Sequence, residues 1–125
     1  MYVPYFLLAG TELIPSEWTG NFTCPDDNTM TIFFMNITRS DNIETLATVH
    51  NLDVDFPMTG SYATIMRILT LQNSGTLLRR GINVNYTDVE LDGQVRSAVF
   101  IEGFVVFKRA NNTLQCPVQL RRTAG

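Results

Sequence analysis

The sequence predicts an all-β fold, a single-domain β-sandwich or β-barrel with an extended N-terminal arm. Three observations lead there. Apolar and polar residues alternate at period two, as where Ile82, Val84 and Tyr86 interleave with Asn83, Asn85 and Thr87. β-Branched and aromatic residues crowd the same kind of stretch, most densely at residues 29–38 (TMTIFFMNIT). Turn residues recur between these stretches at an interval suited to about seven strands. No stretch requires a helix of any length, no repeat is visible and no linker divides the chain. The 125 residues are therefore read as one β domain, residues 1–10 forming the arm.

Taken in order, residues 2–9 are extended and apolar, with Pro4 disfavouring helix and Gly10 ending the run. Residues 11–28 carry Pro15, Gly20, Pro25 and Asp26-Asp27, which predicts irregular structure with a short strand at 22–24. Residues 29–38 are a strand and 39–42 a polar turn. Residues 43–56 are ambiguous: Leu46, Val49 and His50 suit a short helix, whereas Thr45, Thr48 and Val49 favour a strand. The alternating run 52–56 is stopped by Pro57. Gly60 then opens a long strand over 61–72, and Asn73-Ser74-Gly75 is the turn after it, with the next strand starting at 76–78. Residues 81–117 hold the strongest strand signals. They are divided by an expected hairpin turn at Asp92-Gly93 and by Gly103, which marks a bulge or a close backbone approach.

Composition narrows the function. Hydrophobic residues make up 45% and charged residues 17%, as in a globular chain and not a disordered one. A net charge of -3 and a pI near 4.9 argue against nucleic-acid binding, which calls for a basic face. Eight arginines against the single Lys108 suit packed protein interfaces. The opening MYVPYFLLAG lacks a basic n-region and is too short to span a membrane, so no membrane is expected as a partner. If Met1 is the native start, this predicts a chain used without export; if Met1 was added to a mature chain, the expectation lapses.

No residue pattern predicts catalysis, a cofactor or a metal. Asp53-x-Asp55 and Asp88-x-Glu90-x-Asp92 each share one strand face, but neither has the spacing of a calcium loop, and a solvated face accounts for them. As a paired-carboxylate site they lack any visible environment that would raise a pKa. The only histidine, His50, has no G-x-S-x-G or H-E-x-x-H beside it and reads as a polar edge residue. The pairs Arg79-Arg80 and Arg121-Arg122 read as interface arginines. Cys24 and Cys116 are 92 positions apart; a disulfide between them and two buried free thiols both fit, and without C-x-x-C neither zinc nor redox catalysis is supported. Asn21, Asn36, Asn85 and Asn111 all open N-x-T sequons, against about 1.6 expected by chance for this composition.

The C-terminal half carries a further pattern: Arg80-Gly81-Ile82-Asn83-Val84, then Thr87-Asp88-Val89, then Ser97-Ala98-Val99-Phe100-Ile101-Glu102-Gly103-Phe104-Val105, then Leu114 and Pro117. Over residues 77–117 this resembles the head decoration proteins of lambda-type tailed phages. The resemblance implies a virion structural protein, a capsid decoration or cement subunit. Its partner would be the major capsid protein, its state a homotrimer, and its place the capsid surface. An apolar arm (Tyr2, Val3, Tyr5, Phe6, Leu7 and Leu8), with Arg121 and Arg122, would then bind the partner. The alternative is a secreted or cell-surface immunoglobulin-like β-sandwich for adhesion or recognition, glycosylated at the sequons and tied by Cys24–Cys116. The cysteines stand too far apart for the usual immunoglobulin pair, and Trp18 precedes Cys24 where it should follow.

Overall fold

The computed structural model describes residues 13, 15–26, 28–41, 43–51, 54–78, 85–108 and 112–124. Within them run eight strands: β1 (Ser16–Thr23), β2 (Met30–Ser40), β3 (Thr45–Asn51), β4 (Val54–Ala63), β5 (Ile68–Leu78), β6 (Asn85–Ser97), β7 (Phe100–Lys108) and β8 (Thr113–Ala124). Each pairs antiparallel with the next in sequence, and β8 pairs with β1, so the sheet closes on itself. The architecture is an up-and-down barrel. Of the two expected all-β forms the barrel holds, and the immunoglobulin-like sandwich falls. A two-sheet Greek key needs strands that leave their sequence neighbours, and none here does.

Period two sorts the side chains. Trp18 and Phe22 on β1, Phe33, Met35 and Ile37 on β2, and Leu69 and Leu71 on β5 point inward, and Val105, Phe107, Val118 and Leu120 join them from β7 and β8. Together they fill the interior, as expected of a barrel of eight strands. The buried side-chain hydroxyls of Ser16, Ser40 and Thr45 are paired, as is the Trp18 indole. The Trp18 indole N–H donates to the Ser16 hydroxyl (2.9 Å), which donates to the Leu13 carbonyl (2.6 Å). Ser40 and Thr45 hydroxyls bond to each other at 2.9 Å. Cys24, just past β1, is disulfide-bonded to Cys116 on β8, and both are fully buried.

Several local expectations are corrected. Asp92-Gly93 is no turn; it lies inside β6, and the chain reverses at Ala98-Val99. Leu91, Gly93 and Val95 continue one inward face through it. Gly93 stands opposite Gly103 on β7 and Leu69 on β5, and a Cβ on it would come 2.6 Å from the Ile101 side chain. Gly103 is a close approach: its Cβ would overlap the Asp92 carbonyl, while the β6–β7 register shift lies elsewhere, between Val95 and Ser97.

Asn73-Ser74-Gly75 likewise lies within β5, where the register against β6 slips between Ser74 and Leu77, so turn-type residues serve an irregularity. The expected long strand at 61–72 is two strands. Its break at 64–67 is closed by the Arg67 N–H donating to the Ala63 carbonyl (2.6 Å), with Arg67 at φ 59°. Pro57 does not stop β4. It pairs with Thr48 of β3, and the β4–β5 ladder begins only at Thr59, so its missing N–H breaks no bond to β5. Residues 45–51 are strand and not helix. Residues 16–23 form a full strand because the inward set Ser16, Trp18, Gly20 and Phe22 is regular although half of it is not apolar. The arm at residues 1–10, with Tyr2, Val3, Tyr5, Phe6, Leu7 and Leu8, lies outside the described residues, as do Arg79, Arg80 and residues 81–84.

Candidate functional site

With the interior occupied by side chains, the barrel's outer face carries the features available to a partner. Two areas stand out, separated around the closed sheet by β1 on one side and by β3 and β4 on the other.

The first spans β5 to β8, where a groove of about 520 Å³ runs past Asp92, Gln94, Glu102, Phe104, Pro117 and Gln119. Backbone at Gly93 and Gly103 also lines it. Phe104 is exposed, with Asp92 opposite on β6 and Pro117 opposite on β8. At one end Arg96 Nε donates to Glu102 at 2.7 Å. Alongside, Glu90 accepts from Gln72 Nε2 (2.9 Å) and Lys108 Nζ (3.3 Å). The Asp88-x-Glu90-x-Asp92 set shares the outer face of β6, as period two requires. The expectation that nothing there raises a pKa is overturned. Partial burial, then a hydrogen bond to Glu90 and its negative charge, push the Asp92 carboxyl up to about 6, with Lys108 pulling the other way. Glu90 is held below the ordinary carboxylate range, first by the hydrogen bond from Asp92 and then by Lys108 and Gln72, against its burial. Asp92 is thus the member of the pair that takes up a proton first as pH falls. The groove lining contains no histidine, serine or cysteine among the described residues.

The second area is the outer face of β2. Met30, Ile32 and Phe34 form an apolar stripe, each more than half exposed. Thr23, Asn21 and Thr19 of β1 stand opposite the three in turn, and His50 of β3 stands opposite Phe34 on the other side. His50 Nδ1 lies 2.6 Å from Asp55 Oδ1 on β4, so the histidine sits in an outward polar pair; Asp53 is outside the described residues. The stripe was missed in the sequence. Its signal was there in MTIFFM, a run apolar on both of its faces where a barrel strand needs only one.

The remaining site residues separate. Arg121 is exposed on β8, its guanidinium 4.9 Å from the centre of the Phe100 ring. Arg122 packs 5.9 Å from the centre of the Trp18 ring and donates to the Ala98 carbonyl at 3.2 Å, closing that end of the barrel. Of the sequon asparagines, Asn21 and Asn36 are half-buried on outward strand positions, Asn85 opens β6, and Asn111 is outside the described residues. Among the described residues no group of three His, Cys, Asp or Glu side chains is arranged to hold a metal, and no helix is long and apolar enough to cross a membrane. No protein-family model and no curated protein matches the chain.

Proposed function

We propose that this chain is an extracellular recognition module, a disulfide-tied barrel that binds a partner protein through its outer face. The observation that carries the reading is the Cys24–Cys116 bond, buried where the first strand meets the last. Such bonds persist in oxidising compartments and are rare where thiols are kept reduced. The packed interior leaves the outer face for recognition, and the groove between β5 and β8 offers an exposed aromatic, a proline and carboxylates on one surface. The test is alkylation of the chain taken from its source and unfolded in denaturant without reductant, which exposes both buried sulfurs. Cys24 and Cys116 are expected to stay unlabelled until reductant is added; labelling of either before reduction removes the basis for the reading.

A second reading is the capsid decoration subunit implied by the lambda-type resemblance, with the major capsid protein as partner and a homotrimer as the state. One observation favours it: a shell or a neighbouring subunit would cover the Met30–Ile32–Phe34 stripe. Light scattering separates the two. A concentration-independent trimer supports the decoration subunit, and a monomer counts against it.

A further inference from the structure

We propose that the β2 stripe is the bed for N-linked glycans carried on Asn36 and Asn21; this rests on the extracellular reading. The positions carry it. Asn36 follows Phe34 by two residues on the same strand, so both side chains leave the same outer face about 7 Å apart. Asn21 pairs directly with Ile32 across the β1–β2 ladder, at a side-chain separation of about 5 Å. The two acceptors thus bracket the two apolar side chains from the strand direction and from the ladder direction. In both sequons the middle residue, Phe22 or Ile37, is buried, while the asparagine points outward. Folding therefore uses the residue the sugar does not need.

Attachment is chemically simple and precedes strand pairing. The asparagine Nδ2 bonds to the anomeric carbon of an oligosaccharide carried on a polyprenyl pyrophosphate. The carbon–oxygen bond to that carrier breaks, the lipid pyrophosphate leaves, and the amide gives up one proton. Once the barrel closes, the first sugar ring lies within reach of the stripe. A pyranose presents one face of C–H bonds, which covers the Phe34 ring and the Ile32 side chain and removes them from water. Thr19 and His50 flank Phe34 on either side and supply a polar rim for the sugar hydroxyls. A closed barrel has no sheet edge to protect. The stripe is the exposed hazard of this fold, and the glycans answer it where it lies.

The full chain, secreted from a eukaryotic cell behind a cleavable leader, provides the test. Glycopeptide mapping is expected to find sugar on Asn36 and Asn21. Trimming to one sugar per site should leave Tm unchanged. Complete removal should lower Tm by about 3 °C and raise binding of an apolar dye. N36Q should reproduce part of that loss without an enzyme step. F34A and I32T, at exposed positions, should keep the sugar but abolish the dependence of Tm and dye binding on it. Bare asparagines on a disulfide-bonded secreted chain overturn the proposal and leave the extracellular reading standing. So does full occupancy with no change on removal. Free Cys24 and Cys116 in the secreted chain overturn the extracellular reading and the proposal together.

Discussion

Asp92 and Glu90 stand two residues apart on the outer face of β6, and the cost of placing two carboxylates so close can be read as a pH dependence. The folded Asp92 titrates at about 6, above its ordinary 3.8, so between those values the folded chain binds more protons than the unfolded one. Stability therefore falls as pH rises through that window. Asp92→Asn keeps a donor toward Glu90 and removes the charge. It should raise stability by about 1 kcal/mol at pH 8, with the gain fading towards pH 4 in urea titrations. A gain that persists unchanged at pH 4 would mean the charge is not its source. Gly103 poses a different question. Any side chain there meets the Asp92 carbonyl, which is backbone and has no rotamer to yield. Gly103→Val should cost about 3 kcal/mol in the same titration, and an unaltered midpoint would refute the close approach. That glycine's backbone role was legible in the sequence. The raised Asp92 pKa was not, because its first cause, partial burial, comes from the packing of the strands on either side; only the second, Glu90 two residues away, is written in the local spacing.

At the scale of elements, residue types told more about strand content than about where strands end. The rich run at 29–38 is β2 almost in full, since its inward set Phe33, Met35 and Ile37 is apolar without a gap. Turn chemistry misled twice: Asp92-Gly93 and Asn73-Ser74-Gly75 have hairpin residues, yet the first is held in β6 by β5 and β7, and the second lies in β5, where Asn73 and Ser74 pair with β6. The true β4–β5 reversal at 64–67 (TIMR) carries no glycine, proline or asparagine, and only Arg67 at positive φ betrays it. β1 was underread because Ser16 and Gly20 occupy inward positions, serine to accept the Trp18 N–H and glycine to clear the Phe33 ring. Insertion separates the true turn from the false one. Four Gly/Ser residues after Ile65, which is almost fully exposed, should shift Tm by no more than about 3 °C. The same four residues between Asp92 and Gly93 should displace half of β6 against both β5 and β7 and abolish cooperative unfolding by circular dichroism. Equal tolerance at the two sites would contradict the described topology.

For the whole molecule, the decisive feature is that the barrel closes by joining its first strand to its last. The β1–β8 seam, from Glu17 opposite Ala124 to Phe22 opposite Val118, is the pairing of greatest sequence separation, and nothing local can form it. Without a crosslink its loop-closure entropy is the largest of the eight pairings. The Cys24–Cys116 bond sits next to that seam and links residues 92 apart, so in the unfolded chain it keeps the two ends together. On the loop-entropy view a bridge of that span contributes about 4 kcal/mol. Cys24→Ala with Cys116→Ala should therefore lower stability by about 3–5 kcal/mol in denaturant. The loss should be local as well as global: in hydrogen exchange, the β1 and β8 amides should lose protection before those of β5 and β6, which keep both sequential neighbours. If the double variant loses protection evenly around the barrel, the bond is a general constraint on the unfolded chain. If β1 and β8 open first, it is the clasp of the seam, and a reducing environment would open the barrel there before anywhere else.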